Sequence, residues 1–244
     1  MTSQANGNTV PRAQRGVLQH QGACYGTSEL DHPLEIYGPQ TAPVDILLMA
    51  AMHGDEVETT VVLSEALRRV PDGDIRNPVI LGVNPDGILR GTRCNARGVD
   101  LNRNWPSRNW SPATVYHRAH GEQSRDIMLS PGEQAASEAE TRALLNLVEK
   151  LQPKAIVSLH APLGCIDAPS ASRLARWISD EVNLPLVEDV GYATPGSFGT
   201  WSSEQGIDII TWELPARSIA ANMATHVPVL QQLIAGQFDM GRYG

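Results

Sequence analysis

Residues 45–67 read DILLMAAMHGDEVETTVVLSEAL, and the hydrophobic pattern changes period within them. Asp45 to Met52 is a short, nearly unbroken apolar run, the mark of a strand buried on both faces. It stops at His53-Gly54-Asp55-Glu56. Val57, Val61, Val62, Leu63 and Leu67 then recur at helical spacing, and Pro71-Asp72-Gly73 ends the pattern. A buried strand, a polar corner and an amphipathic helix follow one another in the order of a βα unit.

The alternation continues outward. PVILGVN (78–84) reads as a second buried strand, closed by Pro85-Asp86-Gly87. Residues 88–136 are polar and rich in Gly, Arg and Asn; a loop region of that length in a compact domain is usually functional. Ser137 and Glu140 have the spacing of a capping box. The helix they introduce carries Leu144, Leu145, Leu147, Val148 and Leu151, and Pro153 stops it. AIVSLH (155–160) reads as a third strand, residues 174–182 as a helix, DIITWEL (208–214) as a further strand and 219–235 as a last helix. Strands alternating with helices predict an α/β fold: a three-layer α/β/α sandwich around a mixed, mostly parallel sheet. Ligands of such sheets bind beyond the carboxyl ends of the strands. His53 with Glu56, His160 and Glu213 all fall at such ends.

The 244 residues suit one domain, expected over 17–244, behind a flexible polar segment 1–16. The opening MTSQANGNTVPRAQRG lacks the apolar core of a secretory signal, and no run approaches the roughly 18 apolar residues of a membrane span. The expectation is a cytoplasmic protein with no membrane segment. A net charge of −8 argues against nucleic acid as partner. Cys24, Cys94 and Cys165 are odd in number and widely spaced, so they are read as reduced thiols. Arg90, Arg93, Arg97 and Arg103 cluster in an acidic chain, which suits either a solvated loop or a local site for a carboxylate or phosphate.

His53 and Glu56 form an HxxE pair whose spacing brings imidazole and carboxylate to one side. Both are good zinc ligands, and a distant third such as His160 would leave a fourth position open. Alone, HxxE recurs by chance, and a strand-end histidine is as consistent with a structural role. Glu213 puts one carboxylate at the end of an apolar strand, where a general base or an edge glutamate would sit. In GTRCNARGVDLNRNWP (91–106), Asn102 and Arg103 suit a carboxylate, Arg93 an oxyanion, and Asp100 the second nitrogen of a metal-bound histidine. By residue type alone these roles are interchangeable. His117 and His120 read as surface histidines.

Taken together, HGDE (53–56), NPDG (84–87), TR (92–93), GVDLNRNW (98–105), SLH (158–160), GYATPGSFGTW (191–201) and TWEL (211–214) resemble the zinc carboxypeptidase family, the carboxypeptidase A-like enzymes. The resemblance implies one zinc per chain, held by His53, Glu56 and His160. It implies that Glu213 is the general base, that Arg93 faces the oxyanion and that Asn102 and Arg103 grip a terminal carboxylate. Asp100 would orient His53, and Tyr192 matches the family's substrate-capping tyrosine. The phrases NARGVDLNRN, PGSFG and SEAET bring the chain closer to the family's bacterial members that act on murein peptides. That implies hydrolysis of the γ-D-glutamyl–meso-diaminopimelate bond of murein tripeptide in peptidoglycan breakdown and recycling. The partner is then a small peptide, and the protein a monomer or homodimer. Asp167 in GCID is a possible partner for the distal end of diaminopimelate. A deacylase or endopeptidase of the same fold would keep zinc and Glu213 without needing Arg103. A non-catalytic peptide-binding domain would lack a ligand or the base.

Overall fold

The structure, a computed structural model, describes residues 20–71, 73–119, 125–189 and 191–242. The expected flexible segment 1–16 lies outside them. The strands are β1 (Ala23–Thr27), β2 (Pro33–Ile36), β3 (Ile46–Ala50), β4 (Val79–Ile80), β5 (Val115–Ala119), β6 (Arg125–Leu129), β7 (Ala155–His160), β8 (Ile166–Asp167), β9 (Leu186–Val187) and β10 (Asp208–Glu213). The helices are α1 (Val57–Arg69), α2 (Pro85–Arg90), α3 (Ala139–Leu151), α4 (Arg173–Val182), α5 (Phe198–Glu204) and α6 (Ile219–Ile234).

Six strands in the order β4-β3-β7-β10-β8-β9 form the central sheet. Neighbours run parallel except β10 and β8, which are antiparallel. Every residue of β3 and β7 is buried, as their apolar runs require. Successive strand side chains face opposite sides. Ile46, Leu48 and Ala50 therefore pack with Val62, Leu63 and Leu67 of α1 and with α4 and α6. Leu47 and Met49 pack with Leu144, Leu147 and Leu151 of α3 and with Phe198 and Trp201 of α5. Two cores, one on each sheet face, make the expected α/β/α sandwich.

Some local expectations are corrected. Pro85-Asp86-Gly87, which closes the strand as expected, also opens a helix not read from the sequence, α2: Pro85 occupies the position where a missing N–H costs nothing, and Asn84 accepts from the Gly87 N–H. The capping box at Ser137 does not form. Ser137 Oγ donates to Glu138 Oε1, and Glu29, between β1 and β2, accepts from the Ala139 N–H at 2.9 Å. Glu140 does not reach back to the cap; its Oε1 accepts from the Glu29 N–H. The expected strand 78–84 is regular over only Val79–Ile80. Within the long loop region 88–136 lie a 3₁₀ turn at Leu101–Arg103 and the antiparallel hairpin β5–β6. Among the described residues no helix is long and apolar enough to cross a membrane, and all three cysteines are free thiols.

Candidate active site

The three central parallel strands end side by side and deliver the site. After β3 the chain turns through Ala51, in the left-handed region at φ +51°, and reaches His53. Gly54 follows because a Cβ there would meet the α2 backbone at 2.1 Å. Glu56 stands at the N-cap of α1, yet its side chain caps nothing; it turns to His53. His160 ends β7 and Glu213 ends β10, directly opposite each other in parallel register.

His53 Nδ1 lies 2.7 Å from Glu56 Oε1 and 3.2 Å from His160 Nδ1, which is itself 3.1 Å from Glu56 Oε2. All three residues are buried. Two nitrogens and one carboxylate converge on one point, with one atom from each residue within 4.8 Å of the others. Two imidazole nitrogens of the same kind facing each other across a carboxylate suit a shared cation better than a mutual hydrogen bond. Two His and one Glu are also the donor set of a catalytic zinc. His53 Nε2 sits 3.2 Å from Asp100 Oδ1, too oblique for a well-aligned hydrogen bond but close enough to orient the ring. Burial and Arg93 push the His53 imidazole down, but Glu56 and Asp100 outweigh them and hold it at about 9. Burial alone would raise the Glu56 carboxyl; His53 and His160 instead hold it well below the usual range.

Asp100 organises the neighbouring segment. It is fully buried, accepts from the Asn102 N–H at 2.8 Å and holds Arg93 Nε at 3.1 Å. Burial favours its neutral form, yet Arg93 and His53 keep it ionised. Arg93 Nη1 also lies 3.5 Å from Glu56 Oε1. Asn102 Oδ1 accepts from the Phe198 N–H at 2.9 Å, which leaves its amide nitrogen as the donor to offer. Arg103 is 2% exposed; Nη1 donates to the Asn102 carbonyl, and Nε has no partner. Trp105 pins this segment into the second core, its ring 4.5 Å from Phe198 and 5.0 Å from Trp201.

One cavity of about 1400 Å³ is lined by His53, Glu56, Arg93, Asn102, Arg103, His160, Tyr192 and Glu213. Asp100 stands behind its wall, and of the arginine cluster only Arg93 and Arg103 reach the cavity: Arg90 donates to the Ala96 carbonyl and Arg97 pairs with Glu133 and Glu138. Tyr192 is half-exposed at the mouth. Glu213 is buried, and Leu163 N–H donates to its Oε2 at 3.3 Å. Burial raises its carboxyl, with Glu56 adding and His160 opposing. One lining group was not legible as such. His117, read as a surface histidine, is half-buried in the cavity wall, and burial with Arg93 lowers it to about 4. The period-2 alternation that puts Val115 and His117 on one face of β5 was the available signal. His120 lies outside the described residues. Asp167 also lines the cavity.

Known proteins share this sequence and fold. Residues 32–169 match the family described as zinc carboxypeptidase. Murein peptide amidase A of Escherichia coli K12 is 44% identical over 209 residues, which cover 85% of this chain and 86% of that protein. Its namesake in Vibrio campbellii is 39% identical over 95% of this chain and 94% of its own. The crystal structure of murein-tripeptide amidase MpaA from Escherichia coli O157 superposes with a TM-score of 0.86 at 40% identity, covering 93% of this chain and 96% of that one. Thrombin activatable fibrinolysis inhibitor, at 18% identity and a TM-score of 0.66, shares the fold, covering 90% of this chain and 70% of its own. The chain belongs to the zinc carboxypeptidase family of metal-dependent hydrolases.

Proposed function

We propose that this protein hydrolyses the γ-D-glutamyl–meso-diaminopimelate bond of murein tripeptide and releases free diaminopimelate. The observation that carries the reading is Arg103: a buried cation with an unpartnered Nε, in one cavity with the His53/Glu56/His160 cluster and Glu213. A substrate with a free C-terminal carboxylate fits that arrangement, and the relatives named as murein peptide amidases supply the substrate class.

In this reading His53, Glu56 and His160 hold one zinc, which when bound acts as a Lewis acid and makes water a better nucleophile. Asp100 orients His53. Arg103 and the amide nitrogen of Asn102 bind the terminal carboxylate, and the half-exposed Tyr192 covers it. Arg93 faces the carbonyl oxygen and meets the charge that develops there. Glu213 takes a proton from the attacking water at a carboxylate oxygen and delivers it to the leaving nitrogen. Its burial, which raises its affinity for a proton, suits both halves of that transfer. The reading includes a single catalytic domain over 17–244. It also includes a cytoplasmic role in peptidoglycan recycling and action as a monomer or homodimer.

The test is incubation of zinc-loaded protein with L-Ala-γ-D-Glu-meso-diaminopimelate, with and without chelator. The expected result is chelator-sensitive release of diaminopimelate, lost in Glu213→Gln while that variant still binds zinc. No release from stoichiometrically zinc-loaded protein overturns the substrate assignment. Full activity in Glu213→Gln removes Glu213 from the mechanism.

A further inference from the structure

Beside Glu213, part of the cavity wall is unused by the chemistry above. On β10, the alternate residues Ile209, Thr211 and Glu213 all face the cavity. β8 runs antiparallel beside it with Asp167 opposite Thr211, so Asp167 shares that face. It stands two residues, roughly 7 Å, along the strand direction from Glu213. No hydrogen bond or ion pair reaches its carboxylate among the described residues. Its neighbours on the wall, Glu188 and Asp189, are acidic too, and Asp189 Oδ1 is already taken by the Gly191 N–H at 2.7 Å.

Burial and then the Asp189 charge push the Asp167 carboxyl up to about 6, with His160 only partly opposing them. That is the state of an acid with no cation beside it. Elsewhere in the same cavity Arg103 is a buried cation whose Nε has no partner. An occupant with a carboxylate at one end and an ammonium several bonds away satisfies both.

We propose that Asp167 is the specificity-determining residue for the leaving residue, accepting hydrogen bonds from a distal ammonium while Arg103 holds the terminal carboxylate. The cavity then selects C-terminal diamino acids over residues whose side chain ends without an amine. This rests on the amidase reading, whose leaving residue carries such an ammonium. Asp189 and Glu188 strengthen the attraction without touching the amine directly. A charge-assisted hydrogen bond of this kind corresponds to roughly 10- to 100-fold in kcat/KM.

Two tripeptides isolate the ammonium: L-Ala-γ-D-Glu-meso-diaminopimelate and the same peptide ending in 2-aminopimelate, which lacks only the distal amine. Zinc-loaded wild-type protein is expected to favour the first by at least about tenfold in kcat/KM. In the near-isosteric Asp167→Asn the ratio is expected to shrink towards one. A wild-type ratio near one overturns the subsite and leaves the amidase reading standing. A ratio unchanged in Asp167→Asn does the same, and equal losses on both peptides count as unchanged. Failure of wild-type protein to cleave either peptide overturns the amidase reading and the subsite with it. If Asp167→Asn does not fold, the wild-type ratio decides alone.

Discussion

Arg103 is a guanidinium kept from water without a carboxylate against it. Burial lowers its affinity for a proton, the nearby Arg93 adds to that, and Asp100 offsets them in part. A cation held this way gains when a substrate anion arrives, because the cost of burying it has already been met in folding. Arg103→Ala is therefore expected to raise KM for peptides with a free C-terminal carboxylate roughly tenfold or more, with a smaller effect on kcat. Steady-state kinetics on free and C-terminally amidated peptides checks this. An unchanged KM points to a deacylase or endopeptidase instead. The identity of such residues was legible in the sequence, but their division of labour was not. Asn102 presents its nitrogen because Phe198, far along the chain, takes its oxygen. Asp100 serves His53, Arg93 and the Asn102 N–H together. Residue types reveal what a group can do, and only tertiary hydrogen bonds fix which atom is left to do it.

At the scale of elements, α2 carries a similar lesson. Its Asp86 is fully buried and accepts from Ser28 Oγ at 2.7 Å and the Leu30 N–H at 3.2 Å, with His32 Nδ1 at 2.7 Å. It thereby ties the turn between β1 and β2 to the helix against which Gly54 of the site corner packs. Burial favours the neutral acid, but the His32 and Ser28 contacts outweigh it and depress the carboxyl below its usual value. Asp86→Asn offers one acceptor where several groups converge, and is expected to cost about 1–3 kcal/mol of stability near neutral pH. A group depressed in the folded state stabilises above its unfolded pKa and loses that contribution as pH falls through the folded value. The gap between wild type and Asp86→Asn in urea unfolding should hold from pH 7 to about 5 and narrow below about 4. A gap independent of pH would show that the Asp86 charge has no part in it. The long helices and central strands were legible because each carries its own hydrophobic period. Where a local signal had a tertiary competitor, as Ser137 had in Glu29, the local reading failed.

At the scale of the whole molecule, the sheet itself assembles the candidate metal cluster. His53 and Glu56 follow β3, His160 ends β7, and over 100 positions separate the first from the last. The candidate residues gather beyond the carboxyl ends of the strands because β3, β7 and β10 are parallel neighbours, a strand order that no local pattern in the chain encodes. In the unfolded chain the three donors are far apart, so zinc held by them would bind the folded state almost exclusively and its binding free energy would add to stability. At a free zinc concentration 100-fold above its Kd that addition is about 2.7 kcal/mol. For a chain of this size each kcal/mol moves Tm by about 2–4 °C, so zinc should raise Tm by roughly 5–10 °C. A chelator should reverse the rise, and Glu56→Gln, which removes one ligand charge, should lose most of it. Calorimetry on the apo and zinc-loaded forms needs no substrate, so it tests the metal site independently of the reaction. An undiminished rise in Glu56→Gln would place the zinc elsewhere. No rise in wild-type protein at saturating zinc would mean that the cluster holds its shape through the Glu56 contacts with His53 and His160 alone.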